Sequence, residues 1–356
     1  LLTYERQMLE SADTPSISVP AGDAARLSVE QLLEKAAAAA PQGAALSGLT
    51  LSHDPDIPAS AAYGREASSW LDPYTGGKLE AGAPGLRKFF RTATDLHRWL
   101  AMSGDSRNTG KAITGAANLL FLFLVVSGLY LWFPRQWSWS NFRPVLWFRR
   151  KLSGKARDWH WHNVLGFWSC IPLFFIVVSG ALISYPWATG LLYRAFGETP
   201  PPAPAPPQTG RPPERSATPA ATPGFNGLNT AWAKAEELSP GWQSISLRLP
   251  ADKTAVFTVL GSHRGRPDLR STLTIDPRTD ALVSAETFDT FSPAKKARTW
   301  GRWLHTGEAG GIAGQTLAGI VSAAAVVLVW TGLALAIRRL VRKWRSPPPA
   351  AAAEPA

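Results

Sequence analysis

Three long stretches of this chain carry no charged residue: residues 112–133, 163–193 and 309–337, which are 22, 31 and 29 residues long. Crossing a hydrocarbon core of roughly 30 Å takes about 20 apolar residues in a helix, so each stretch is long enough to span a bilayer. A buried helix of a soluble core seldom runs this far without a charge. The expected fold class is therefore a mainly α membrane protein, a helical transmembrane bundle with soluble segments between its spans.

Charge orders the segments. Lys and Arg number 37 against 26 Asp and Glu, a formal net charge of +11. Residues 134–162 contribute Arg135, Arg143, Arg149, Arg150, Lys151, Lys155 and Arg157 against Asp158 alone. The tail contributes Arg338, Arg339, Arg342, Lys343 and Arg345 against Glu354. Residues 1–108 and 194–308 are close to balance. An excess of Lys and Arg marks the cytoplasmic side, which puts the two basic pieces inside and the two long soluble segments outside. Trp132, Trp137, Trp139 and Trp147 flank the first span on the inner side, as an interfacial aromatic belt does. The basic charge is thus a topology signal, and no nucleic-acid partner is expected.

Composition closes other classes. With 45% hydrophobic residues, 18% charged and 16 Trp, the chain is no disordered tail protein. Its single cysteine, Cys170, rules out a disulfide scaffold, a four-cysteine zinc site and a cysteine-ligated iron–sulfur cluster. Cys170 lies mid-span beside Pro172 and reads as packing. There is no Gly-rich dinucleotide fingerprint, P-loop or His-Glu-x-x-His motif, so reducing equivalents for any redox role come from a separate donor.

Each span closes on a small residue and a glycine before a further apolar run: Ser127-Gly128, Ser179-Gly180 and Thr331-Gly332. Residues 1–9 resemble the end of such a helix, so a first span that is mostly missing is expected upstream; a cleaved signal peptide serves export equally well. The outer segments also repeat each other. A helix over 27–40 and strands lead to Asp72-Pro73-Tyr74-Thr75; a helix near 228–238 and strands near 244–249 and 255–260 lead to Asp276-Pro277-Arg278-Thr279. Asp-Pro-x-Thr between apolar runs signals a hairpin turn, and two such units suggest a duplicated small α+β module. Ten prolines fall within 199–223, a stiff, exposed linker, expected to let the second module move over a site.

In this order the chain resembles the PepSY-associated transmembrane family, which includes bacterial inner-membrane ferric-siderophore reductases. The resemblance is carried by Asp95-Leu96-His97-Arg98-Trp99-Leu100, His162-Asn163-Val164-Leu165-Gly166-Phe167-Trp168, Leu304-His305-Thr306-Gly307-Glu308 and the two Asp-Pro-x-Thr turns. It runs over nearly the whole chain and departs at the N-terminus, where a helix with its own histidine belongs. It implies four helices, PepSY modules facing the periplasm, and bound haem b.

The six histidines sort by position. His53 and His263 fall in the soluble modules and read as solvated surface residues; His97, His160, His162 and His305 sit at the ends of membrane spans. A histidine there either snorkels to the interface or serves a function, and four so placed favour function. A six-coordinate haem iron takes two axial ligands. His97, on a short helix around 86–102, and His305 share the outer side and are expected to pair. His160 and His162 precede the middle span on the inner side. They lie about 200° apart around a helix and so do not both face one iron; His162 is the stronger candidate, with its partner expected from the missing first helix. Two haems stacked across the membrane follow, the outer one complete in this chain. Gly110, Gly115, Gly166, Gly307, Gly310, Gly311 and Gly314 either let helices approach closely or leave room for a porphyrin face. Arg98, Arg302 and Lys111 are interfacial cations or partners of haem propionates.

The domain order expected is: end of a truncated helix, 1–9; first PepSY-like module, 10–85; outer helix with His97, 86–108; span, 109–134; basic cytoplasmic loop, 135–160; span, 161–193; Pro-rich linker, 194–224; second module, 225–298; span with His305, 299–338; basic tail, 339–356. The function expected is a haem-containing inner-membrane reductase. It would take electrons from a separate cytoplasmic or quinol donor and pass them to a periplasmic ferric siderophore. A non-redox PepSY protein that binds or regulates a periplasmic partner or peptidase is the alternative. A histidine-lined metal transporter ranks last, because the spans offer so few ionisable residues.

Overall fold

A computed structural model describes residues 2–17, 19, 25–64, 67–132, 138–202, 225–251, 253–263 and 265–345. In chain order the elements are α1 (Glu5–Asp13), α2 (Val29–Ala38), β1 (Leu46–Ser52), β2 (Ala59–Tyr63), β3 (Ala67–Leu71), β4 (Lys78–Leu79), α3 (Pro84–Trp99), α4 (Ser106–Trp132) and α5 (Trp139–Leu146). They continue with α6 (Gly154–Ser184), α7 (Pro186–Ala195), α8 (Leu228–Glu237), β5 (Ser244–Arg248), β6 (Ala255–Leu260), β7 (Arg270–Ile275), β8 (Leu282–Thr287), α9 (Pro293–Thr306) and α10 (Gly311–Arg345). The core of the expected linker, residues 203–224, lies outside the described residues, as do Trp137 and the end of the tail.

Three helices, α4, α6 and α10, are long and apolar enough to cross a membrane. Their spans begin and end differently from the uncharged runs. Pro186 cannot donate into the preceding turn, so the middle run breaks at Tyr185 and continues as the separate α7. The expected span 299–338 breaks at Gly307, which adopts φ +77°, so His305 lies in the last turn of a short helix, α9, ahead of the span proper. The chain start is a helix to Asp13, four residues beyond the expected boundary. It docks on the start of α10 through Tyr4 to Thr316 at 2.5 Å and Gln7 to Gln315 at 2.7 Å. The basic loop also holds a helix, α5, that the sequence reading left out.

The helices α4 and α10 run parallel to each other and antiparallel to α6. Near one end Asn118 of α4 donates to the Val177 carbonyl of α6 at 3.0 Å. Near the other, Trp132 of α4 meets Phe167 of α6 with centroids 4.9 Å apart. A small apolar core of Leu173, Val321 and Leu328 joins α6 to α10, with Phe121 and Val125 of α4 packed against it. Outward, Phe123, Leu131, Ile171, Ile320, Val329 and Leu333 are exposed, the pattern of helices that face lipid. At the end where α6 begins, buried Asp158 accepts from Arg338 at 2.7 Å and from Arg157 at 3.0 Å, clamping α6 to the basic end of α10.

The duplicated unit is confirmed at the level of chain path and corrected at the level of assembly. Both Asp-Pro-x-Thr segments turn the same way. Asp72 Oδ1 accepts the Tyr74 N–H at 2.8 Å and Asp276 Oδ1 the Arg278 N–H at 2.9 Å. The left-handed residue falls four positions later in each, at Gly76 (φ +71°) and Asp280 (φ +55°). Yet the two halves are not separate modules. Their strands form one antiparallel sheet ordered β4-β3-β2-β1-β5-β6-β7-β8. The seam pairs Leu49 with Leu247 and Leu51 with Ile245. Helices α2 and α8 cap each other across it: Glu30 Oε1 accepts the Leu228 N–H at 3.0 Å, and Asn229 Oδ1 accepts the Glu30 N–H at 3.1 Å. Leu32, Leu33, Leu49, Ala231, Ile245 and Phe257 share one buried core. Strand hydrogen bonds and a common core hold the halves as a single body, so the expected swing of a second module over a site is withdrawn.

Candidate functional site: two histidine positions at opposite ends of the bundle

The first position lies at the end of the bundle nearest the sheet. Helix α3 is amphipathic, with Phe90 fully buried, and ends at Leu100 in the left-handed region. Ala101 follows at φ +55°. Two left-handed residues in succession are unusual outside glycine; here they reverse the chain into α4, whose Gly110 packs on the Trp99 carbonyl where no Cβ fits. His97 is carried on the last turn of α3 and His305 on the last turn of α9. Their ring centroids lie 6.1 Å apart with planes inclined by 44°, so the structure brings together the pair that the sequence grouped.

His305 is held firmly. Its Nδ1 lies 2.8 Å from the Ile176 carbonyl oxygen and 3.3 Å from the Ser179 hydroxyl, both on α6. A carbonyl oxygen only accepts, so Nδ1 carries the proton and Nε2 keeps its lone pair. His97 makes no hydrogen bond among the described residues. It is held below the ordinary imidazole value, first by neighbouring protein that strips its hydration and second by Arg98, although its surface remains accessible. Arg98 and Arg107 both stack on Trp99, at 4.3 and 3.9 Å, and Arg302 lies 5.4 Å from the Trp303 ring. The rim of the position is therefore cationic and aromatic.

The second position is at the far end, where α6 begins. His162 Nδ1 lies 3.0 Å from the Thr331 hydroxyl of α10. It belongs to the same helix as the His305 contacts, 14 to 17 residues earlier, which is about 21–26 Å along the axis at 1.5 Å per residue. His160 is turned elsewhere. It is 3% exposed, and its Nε2 accepts the Arg149 N–H at 2.9 Å. It thus ties the basic loop to α6, and the structure does not bring it together with His162. His53 is exposed, as expected, and His263 is half-buried. His53 packs edge-on to Trp242 at 4.9 Å, and His263 accepts the Gly265 N–H at 3.2 Å.

Several small residues have a packing role. Gly307 and Gly314 rest on each other's backbone, and Gly115 on the Tyr185 hydroxyl. The hydroxyl residues Ser179 and Thr331, which face the two imidazoles, were not read as site residues from sequence. The signal was present in the repeated small residue plus glycine, which marks more than the end of a span.

Chemically, the sheet-end position offers His305 with Nε2 holding its lone pair, and the far end offers a second imidazole, His162, against α10. Among the described residues no three His, Cys, Asp or Glu side chains are grouped to hold a metal ion. The pair at the sheet end supplies two ligands, which suits an ion whose remaining positions come from a macrocycle.

These features define a multi-pass membrane protein: three spans joined to a duplicated sheet, with histidines at both ends of the bundle. The family model described as PepSY-associated TM region matches residues 1–339, and the chain belongs to that family. No curated protein matches the chain.

Proposed function

We propose that this protein is a haem-containing electron-transfer reductase of the bacterial inner membrane, passing electrons outward to a periplasmic ferric siderophore. The single observation that carries the reading is the His97–His305 pair. With a metal–imidazole bond of about 2.0–2.1 Å, two imidazoles on opposite sides of one ion stand roughly 6 Å apart between ring centroids. The observed 6.1 Å fits. The Nδ1 contact of His305 with the Ile176 carbonyl is the kind of outer-shell bond that metal-ligating histidines make. His97 and His305 would hold one haem b, and His162 would ligate a second.

Bound haem supplies a reversible one-electron carrier. The chain's own residues orient the ligands, exclude water with the α6–α10 core, and line the outer rim with Arg98, Arg107 and Arg302. The basic far end, read by the positive-inside rule, supports a periplasmic sheet. One electron from a separate cytoplasmic or quinol donor would leave at the sheet end and reduce ferric to ferrous iron in the siderophore. Hard oxygen ligands hold ferrous iron less tightly, so the metal is released and the chelator survives.

The test starts from the visible spectrum of the purified protein. Split α and β bands on reduction are expected; a colourless protein would favour a non-redox PepSY protein that grips a partner. Protein pre-reduced with dithionite and freed of excess is then mixed anaerobically with ferric siderophores and a ferrous trap. Haem reoxidation with stoichiometric ferrous capture is expected. Haems that stay reduced against every ferric chelate would remove the siderophore from the proposal.

A further inference from the structure

We propose that Ser179-Gly180 and Thr331-Gly332 are histidine seats, positioning residues that fix the tautomer and ring plane of His305 and His162. The inference rests on the reading of these histidines as haem ligands. At the sheet end, the Ser179 hydroxyl donates to the Phe175 and Ile176 carbonyls at 2.7 and 2.9 Å. Its lone pairs are left facing His305 Nδ1 at 3.3 Å, while the Ile176 carbonyl accepts from the same nitrogen at 2.8 Å. At the far end, the Thr331 hydroxyl donates to the Val327 carbonyl at 2.7 Å and lies 3.2 Å from the Leu328 carbonyl. His162 Nδ1 lies 3.0 Å from that hydroxyl.

The offsets are identical on two antiparallel helices: a hydroxyl, the carbonyl three residues before it, and a glycine one residue after. The glycine has its own part. A Cβ at Gly180 would lie 3.3 Å from His305 Cε1, and a Cβ at Gly332 would lie 3.2 Å from His162 Cε1. Either is tight enough to push the ring. Back-bonding of a hydroxyl to its own helix and close helix approach at glycine are common in membranes. Neither accounts for an imidazole set against a hydroxyl and the glycine after it twice. Ser127-Gly128 on α4 has the hydroxyl bond, to the Leu124 carbonyl at 3.4 Å, but nothing stands within 4 Å of a Cβ at 128. The pair is thus a seat that needs a histidine delivered by a neighbouring helix. Its consequence is electronic as well as steric. A hydrogen-bonded Nδ1–H makes Nε2 a stronger donor, and outer-shell bonding is one lever on a haem potential.

The test uses the full-length protein in detergent, with Thr331→Val, Thr331→Ser, Gly332→Ala, Ser179→Ala and Ser179→Thr variants. Redox titration should show an upward shift of one midpoint with Ser179→Ala and of the other with Thr331→Val, haem content being retained. Ser179→Thr and Thr331→Ser should return the parent values, which a merely structural loss would not do. Gly332→Ala keeps the hydroxyl and should change the low-spin electron paramagnetic resonance signature of one centre. Imidazole ¹⁵N shifts provide a readout that needs no haem: Nδ1 protonated in the parent, and a displaced Nδ1 shift at the histidine whose hydroxyl is removed. Haem bound with both midpoints and both ¹⁵N patterns unmoved would overturn the seats. A parent without haem would instead sink the ligand reading, and the ¹⁵N pattern would still decide the seats.

Discussion

His97 and His305 stand 6.1 Å apart between ring centroids although 208 positions separate them in the chain. Each ends a short helix, and each of those helices leads into a membrane span. The spans α4 and α10 do not carry these histidines themselves. The bends at Leu100 and Gly307 bring the two imidazoles together at the mouth of the bundle, where His305 meets α6. Replacing either histidine by alanine should remove the same haem, because each leaves the iron one ligand short. Pyridine haemochrome stoichiometry and the reduced spectrum of both variants check this. Loss of different bands in the two would break the pairing.

His160→Ala and His162→Ala should separate cleanly. His160 Nε2 is occupied by the Arg149 N–H, so its loss should free the basic loop and raise trypsin cleavage near Arg149 while the spectrum holds. His162→Ala should leave the loop protected and deplete the haem of the far end. A spectrum that changes with His160→Ala and not with His162→Ala would exchange their roles.

The seam of the sheet is directly testable. Thr50 and Ser246 are cross-strand partners whose hydroxyls lie 2.9 Å apart. In a Cys170→Ser background, Thr50→Cys with Ser246→Cys should oxidise to a disulfide, since directly opposed strand positions lie within bridging distance. The oxidised protein should keep its haem content and its reaction with ferric chelates. Loss of reaction on oxidation, with recovery on reduction, would restore the moving second half that the structure argues against.

Asp276 gives a pH dependence. Its carboxyl is held below the usual carboxylate range, first by the Arg278 N–H and then by the Arg278 side chain. The folded value lies below the unfolded one, so its support of the β7–β8 turn is complete above about pH 3.9. It is lost as pH falls through the folded value. Protection of the β7 and β8 amides, relative to their intrinsic exchange, should therefore fall only in acid, and Asp276→Asn should make that protection independent of pH over the same window. Equal acid sensitivity in the parent and the variant would assign the effect to another group.

How much was legible depended on the range of the physics. Hydropathy marked all three spans because a bilayer constrains length and charge locally, residue by residue. The Asp-Pro-x-Thr turns were legible because the Asp side chain bonds a backbone N–H two residues on. The β1–β5 seam was not, since nothing in residues 46–52 or 244–248 states which edge strand they meet. The break at Pro186 was written in the sequence but masked by an uncharged run on both sides. The His97–His305 pairing followed from sidedness alone, whereas the Ser179 and Thr331 contacts needed the helix rotation that only packing fixes. His160 and His162 were separable in angle from helix geometry; which angle faces α10 was not.

The last prediction concerns how α9 is anchored, since its far end carries His305. Ser292 caps the helix by accepting the Lys295 N–H at 3.3 Å and donates to Glu198 at 2.5 Å; Glu198 also accepts the Ala294 N–H at 3.0 Å. Glu198 follows α7, so this contact ties the chain after α6 to the start of α9, and a carboxylate at a helix N-terminus is favourable. Ser292→Ala should cost about 1 kcal/mol of local stability. Glu198→Gln keeps the shape and should cost less. Amide exchange across residues 293–306 should rise in the order parent, Glu198→Gln, Ser292→Ala. The outer haem should become easier to extract in the same order, while the haem of the far end is unaffected. An unchanged extraction rate despite faster exchange would mean that His305 is held by its bonds to Ile176 and Ser179 alone, independent of the start of its own helix.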